Sequence, residues 1–209
     1  MVPSEIFIKK KKIFIFDLDG VLINSKKNMQ LSWEYVKKKY DLNPNFQMYE
    51  KYIGLKFEKI LDNLKISKKQ NLIKYDYYKY SIKNIKKITL MPFTKSLLSS
   101  LKTQNKKLAI LTSKDHLRTK LILKKFKLDF KLVFTPKKGF PGKPNPAQML
   151  KILKKTGLER KDAVYFGDMK VDLQTAKNAK IDFIFVKTGF TKKLNCKFKI
   201  RSFNNLIYR

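Results

Sequence analysis

Ile13-Phe14-Ile15-Phe16-Asp17-Leu18-Asp19-Gly20-Val21-Leu22 is the stretch on which the reading of this chain turns. Four apolar residues of high β-propensity run straight into two carboxylates one residue apart, and a glycine follows to turn the backbone. Carboxylates at the C-terminal end of a strand in an open α/β sheet face the crevice where ligands bind. Two this close repel unless a cation lies between them or one keeps its proton. The pairing suits Mg²⁺, a hard cation that takes one or two carboxylates together with phosphate oxygens. By itself the stretch also reads as a strand followed by an ordinary acidic turn.

Working outward, short β-like runs alternate with helical ones, the pattern of a parallel sheet covered by helices. The strands are predicted at 13–16, 108–111, 132–134, 163–166 and 183–186, with a final short strand and helix in 197–203. Between the first two strands, residues 24–89 carry no convincing strand. Their apolar positions recur at helical spacing, first Leu31, Val36 and Tyr40, then Phe57, Ile60, Leu61 and Leu64. Ser67 is the expected N-cap of a helix bearing Leu72, Ile73, Tyr77 and Tyr80. Such a segment is too long for a connecting loop. It reads as a small helical domain above the C-terminal edge of the sheet, with hinges near Asn43-Pro44 and between Ile88 and Pro92.

Three more pieces complete the first. Leu108-Ala109-Ile110-Leu111-Thr112-Ser113 is a buried strand ending in two hydroxyls, suited either to a phosphate oxygen or to capping the next helix. Gly142-Lys143-Pro144-Asn145-Pro146 sets a flexible cation on a rigid loop, where it can hold a phosphate and a carboxylate together. Val164-Tyr165-Phe166-Gly167-Asp168-Met169-Lys170-Val171-Asp172 is a second strand ending in carboxylates, with Asp168 and Asp172 aimed at the same crevice.

The composition narrows the setting. A formal charge of +33 invites a nucleic-acid reading, but only four of the 49 basic residues are arginine, and the lysines are spread along the whole chain. Phosphate and base recognition favours the arginine fork, so compositional bias is the better account and a nucleic-acid partner is not expected. Segment 24–90 holds sixteen lysines against six acidic residues, which favours an anionic substrate. No apolar run reaches the roughly 20 residues a membrane helix needs. The N-terminal stretch lacks the apolar region of a secretory signal, and the single cysteine, Cys196, fits a reducing cytoplasm. Trp33, Tyr75, Tyr77, Tyr78 and Tyr80 are expected in a helical core rather than in a base-stacking platform. The only histidine, His116, is expected at the surface or as a cap.

Asp17-Leu18-Asp19-Gly20, Thr112, Lys143-Pro144 and Gly167-Asp168…Asp172 resemble, in order and spacing, the four motifs of the haloacid dehalogenase superfamily. The likeness covers nearly the whole chain and is greatest to the branch of phosphoglycolate phosphatases and β-phosphoglucomutases. Ile53-Gly54-Leu55 and Leu90-Met91-Pro92-Phe93 resemble landmarks of that branch, with Phe93 where many relatives have glycine. Val21 and Asn24 depart from the commonest Thr and Asp of the first loop.

The resemblance implies a Rossmann-like α/β core over residues 1–23 and 90–209, with a helical cap domain inserted at 24–89. It implies that Asp17 is the nucleophile, forming an aspartyl-phosphate, and that Asp19 is the general acid and base. Thr112, Ser113 and Lys143 would contact the substrate phosphate. Mg²⁺ would be held by Asp17, the backbone carbonyl of Asp19, Asp168 and, directly or through water, Asp172. The expected activity is Mg²⁺-dependent hydrolysis of a small phosphorylated metabolite. The alternatives are a phosphosugar mutase and, more remotely, a nucleic-acid end phosphatase or a nucleic-acid-binding protein on the same scaffold.

Overall fold

The computed structural model describes residues 1–137, 139–187 and 189–207. Its centre is a six-stranded sheet in which every neighbouring pair is parallel. The strands are β1 (Ile13–Phe16), β4 (Lys107–Leu111), β5 (Leu132–Phe134), β6 (Ala163–Gly167), β7 (Asp182–Val186) and β8 (Phe198–Ile200), in spatial order β5-β4-β1-β6-β7-β8. All the predicted strands are present, the last as the short strand expected near the C-terminus. β1 lies between β4 and β6, so the sheet order reverses beside its end, and the C-terminal ends of these three strands open side by side. Such a switch point is where open α/β sheets bind ligands.

The strand residues are apolar because both faces of the sheet are covered. Phe14, Phe16, Ile110, Val164 and Phe166 pack on one face with Leu97, Leu101 and Phe203. Ile13, Ile15, Ala109 and Tyr165 pack on the other with Met149, Ile152 and Ala176. The flanking helices include α6 (Thr94–Thr103), α7 (His116–Phe126), α8 (Ala147–Thr156) and α9 (Lys170–Ala179). A short N-terminal helix, α1 (Glu5–Lys10), is capped by Ser4 and was not expected from its lysine-rich sequence.

Between β1 and β4 the chain builds a separate helical layer of α2 (Lys26–Tyr40), α3 (Phe46–Glu50), α4 (Phe57–Asn63) and α5 (Gln70–Lys83). It has its own apolar cluster, in which Trp33, Val36, Leu61, Ile73 and Tyr77 are buried. Tyr78 packs against the edge of that cluster, whereas Leu72 and Tyr75 face outward. Helix α5 starts at Gln70 with Lys69 as its N-cap, so Ser67 does not cap it as predicted. The layer joins the sheet through a two-stranded antiparallel ribbon, β2 (Ile23–Asn24) with β3 (Thr89–Leu90). Two residues per strand are too few to leave a periodic signal, which is why the ribbon was not foreseen. Just beyond it, Phe93 takes a left-handed φ of 61°, a conformation that glycine adopts freely and a bulky side chain does not.

Candidate active site

The predicted site residues stand at or just beyond strand ends, except Lys143, on the loop before α8, and Asp172, in the first turn of α9. Asp17 follows β1, Thr112 follows β4 and Asp168 follows β6. The turn after Asp17 is tight, since the backbone N–H groups of Leu22 and Ile23 both donate to the Leu18 carbonyl. Its glycine has a structural reason. Gly20 has φ +81°, and a Cβ there would lie 2.3 Å from Asp168 Oδ2. A Cβ at Gly189 would come within 2.0 Å of the same oxygen. The Asp168 carboxylate therefore fits only because two glycines flank it.

Lys143 ties the strand ends together. Its Nζ donates to Asp17 Oδ1 at 2.6 Å and to Asp172 Oδ1 at 2.7 Å, and it lies over the Tyr165 ring. Asp172 Oδ1 also accepts from the Tyr165 hydroxyl at 2.9 Å, while Oδ2 accepts the N–H groups of Asp168 and Met169. Both oxygens of Asp172 are thus engaged in holding Lys143 and the start of α9. Asp168 differs. Its Oδ2 accepts from the Phe190 N–H at 2.6 Å, but its Oδ1 is buried without a partner.

Ligand oxygens of Asp17, Asp168 and Asp172 lie within 4.8 Å of one another. This crowding sets the electrostatics. The Asp17 carboxyl is pushed up to about 7, mainly by burial; the Lys143 ammonium opposes the rise, and Asp172 and Asp19 add to it. Burial, then repulsion from Asp172 and Asp17, pushes Asp168 well above the usual carboxylate range. Burial works against the Lys143 ammonium, yet Asp17 and Asp172 hold it above its ordinary range. A buried oxygen-only cluster with an unpartnered oxygen fits a hard divalent cation such as Mg²⁺. Asp17 and Asp168 offer the free donors, with Asp172 beside them. The Asp19 carboxylate stands outside this cluster.

Thr112 is buried, and its Oγ1 accepts from the Lys114 N–H, which leaves the hydroxyl proton free to donate. Ser113 lines the same cavity as Asp17 but its hydroxyl already has an acceptor. Its hydroxyl donates to the Gly54 carbonyl in the helical layer, and Asp115, not Ser113, caps α7. His116 is the first residue of α7 and is exposed.

Asp17, Asp19, Thr112 and Ser113 form one wall of a cavity of about 40 Å³ between the sheet edge and the helical layer. The opposite wall is apolar and aromatic, with Met29, Tyr49, Ile53, Phe57 and Tyr77. Two cations also line it, Lys114 and Arg118, and the sequence singled out neither for the site. Lys114 Nζ lies 3.1 Å from Asp19 Oδ1, near enough to pair but off the line of a hydrogen bond. Gly189, Phe190, Asp115 and Tyr165 were missed as well, although the Asp115/Arg118 spacing of three on a helix start was a usable signal.

The comparisons with known proteins agree with this geometry. A family model described as haloacid dehalogenase-like hydrolase matches residues 14–186. A phosphoglycolate phosphatase of Aquifex aeolicus is 28% identical over 188 residues, covering 87% of each chain. A beta-phosphoglucomutase of Bacillus subtilis is 25% identical over 192 residues, 85% of this chain and 84% of its own. The crystal structure of a haloacid dehalogenase-like hydrolase from Bacteroides fragilis superposes with a TM-score of 0.85 at 22% identity, covering 94% of this chain and all of that one. The chain belongs to the haloacid dehalogenase-like hydrolases, and it is a hydrolase of the phosphatase type. Among the described residues no helix is long and apolar enough to cross a membrane.

Proposed function

We propose that this chain is a Mg²⁺-dependent phosphatase of a small phosphorylated metabolite, of the phosphoglycolate or sugar-phosphate class, working in the cytoplasm through an aspartyl-phosphate. The observation that carries this reading is the junction at Asp17. It is bound to Lys143, has carboxylate oxygens of Asp168 and Asp172 within 4.8 Å, and lines the cavity. Residues 24–89 act as the cap over residues 1–23 and 90–209, and the cavity lies where the two meet.

Asp17 attacks phosphorus while the bond to the leaving oxygen breaks with its electron pair, and Asp19 gives that oxygen a proton. Water then attacks the aspartyl-phosphate, Asp19 takes the water's proton, and the bond from phosphorus to Asp17 breaks to release phosphate. Lys143 and Thr112 hold the phosphoryl oxygens, Lys143 as a point charge and Thr112 through its free hydroxyl proton. Asp172 and Tyr165 keep Lys143 aimed at Asp17. Asp17 and Asp168 would hold Mg²⁺, which supplies the positive charge that lets an anionic nucleophile approach an anionic ester. The helical layer excludes water from the first step.

The test is phosphate release from a panel of phosphorylated metabolites, with and without Mg²⁺, for wild type and Asp17→Asn. Release is expected only with both Mg²⁺ and Asp17, and the variant should lose at least about 10⁴-fold in kcat. The beta-phosphoglucomutase relative supports a second reading, in which the aspartyl-phosphate passes to a sugar hydroxyl. Turnover that requires a bisphosphate activator would identify it.

A further inference from the structure

The two cations of the cavity have no task in the transfer chemistry. Lys143, the phosphate-side lysine, is not part of the cavity lining, whereas Lys114 and Arg118 are. Both are buried, Lys114 to 4% exposure and Arg118 to 6%. Any buried guanidinium needs its charge paired, and that of Arg118 is; what sets it apart is that it also lines the cavity. Asp115, the N-cap of its own helix, accepts from its Nε and also from its backbone N–H. Ser81 of α5 accepts from Nη1 at 3.4 Å, and the guanidinium lies 3.9 Å from the centre of the Tyr78 ring. A sheet-side helix thus delivers an arginine, fixed on three sides, against the helical layer and at the edge of the cavity. Lys114 is one turn earlier and pairs loosely with Asp19. Burial holds its ammonium below the ordinary range, and Arg118 adds to that.

A substrate whose phosphate meets Asp17 extends its remaining part toward this cavity, which has to widen to admit it. There it finds apolar side chains and two cations, of which Arg118 has the planar fork that matches a carboxylate or phosphate. We infer that Lys114 and Arg118 form the receptor for a second anionic group on the substrate, a carboxylate or a second phosphate, and so set leaving-group selectivity. The inference rests on the phosphatase reading. Because Arg118 belongs to the core helix while Tyr77, Tyr78 and Ser81 belong to α5, an anion held there also bridges the two layers.

The test uses matched esters that differ only in the second charge. One pair is phosphoglycolate and 2-hydroxyethyl phosphate; the other is a hexose bisphosphate and the corresponding monophosphate. The readout is the ratio of kcat/KM for the charged over the uncharged member, which cancels any loss of folded enzyme. In wild type at least one pair should show a ratio of tenfold or more, and the pair that does so tells carboxylate from phosphate. In Arg118→Met that ratio should fall at least tenfold; Lys114→Met should lower it too, and Arg118→Lys should keep part of it. A wild-type ratio near one in both pairs overturns the inference, as does a ratio that survives both Arg118→Met and Lys114→Met. In either case hydrolysis of the esters would leave the phosphatase reading standing. Hydrolysis of no member of either pair would overturn both.

Discussion

Beneath Asp17, charged side chains from three separate segments interlock: Lys143 binds Asp17 and Asp172, and Asp168 completes a carboxylate cluster held in place by backbone N–H groups. Above Asp17 the lining is mostly apolar and aromatic, and its two cations, Lys114 and Arg118, are held by side chains on α5 and α7 and by Asp19. The floor is tied together by Lys143 and Asp172, each bonded to two or more partners, and its geometry suits one fixed operation on a phosphate. The roof is built largely from side chains of the helical layer, outside the sheet. The groups around Asp17 and the lining above it thus come mostly from different elements, although Lys114 and Arg118 follow Thr112 on one segment.

Asp168→Asn is the severest blow to the floor short of removing Asp17. It leaves the backbone intact but removes the charge beside the unpartnered oxygen. Mg²⁺ affinity, measured by calorimetry, should fall by about a hundredfold or more, and activity with it. A roof substitution should leave that affinity within a few-fold. Acidity offers the next test. With its carboxyl near 7, Asp17 holds a proton below that pH in the metal-free protein, and metal must displace it. Mg²⁺ should therefore bind about tenfold more weakly at pH 6 than at pH 8, and Asp17→Asn should flatten that dependence.

Ser113 probes the seam between floor and roof. If it serves to latch the loop at Gly54, Ser113→Ala should raise KM about three- to fivefold and leave kcat nearly unchanged. A loss of kcat of a hundredfold would instead return it to the phosphate. The smallest effect is expected at Phe93, just beyond the ribbon. Phe93→Gly relieves a left-handed backbone that costs a bulky residue about 1 kcal/mol, and should raise the melting temperature by a few degrees without altering turnover.

The same division explains what the sequence made legible. A strand that breaks from Ile-Phe-Ile-Phe into Asp-Leu-Asp-Gly marks its own end, and a parallel sheet with both faces covered leaves its crevice as the one place for those carboxylates. Asp17, Asp19, Lys143, Asp168 and Asp172 could therefore be picked out from local motifs and their resemblance to a family pattern; the structure gathers all but the Asp19 carboxylate into one cluster. Arg118 could not. Its partners Tyr77, Tyr78 and Ser81 lie some forty residues upstream, on a helix whose approach to α7 no local pattern encodes. Lys114 was hidden differently, as one lysine in a chain crowded with them. Ser113 bonds the Gly54 carbonyl while Asp115 caps α7, and Ser67 lies two residues before Lys69, the N-cap of α5. The partner of Asp168, the Phe190 N–H, is a backbone group and carries no side-chain signature at all.

The ribbon of Ile23–Asn24 with Thr89–Leu90 has a consequence for descent. Because Asn24 pairs with Thr89, the chain leaves the sheet and returns to it at neighbouring points. A stretch whose two ends touch can be lost, gained or traded in a single recombination event, since a short hairpin turn closes the gap without re-routing any strand. A transplanted helical layer would bring a new apolar lining over the same carboxylates and Lys143, whereas Lys114 and Arg118 would stay with the sheet.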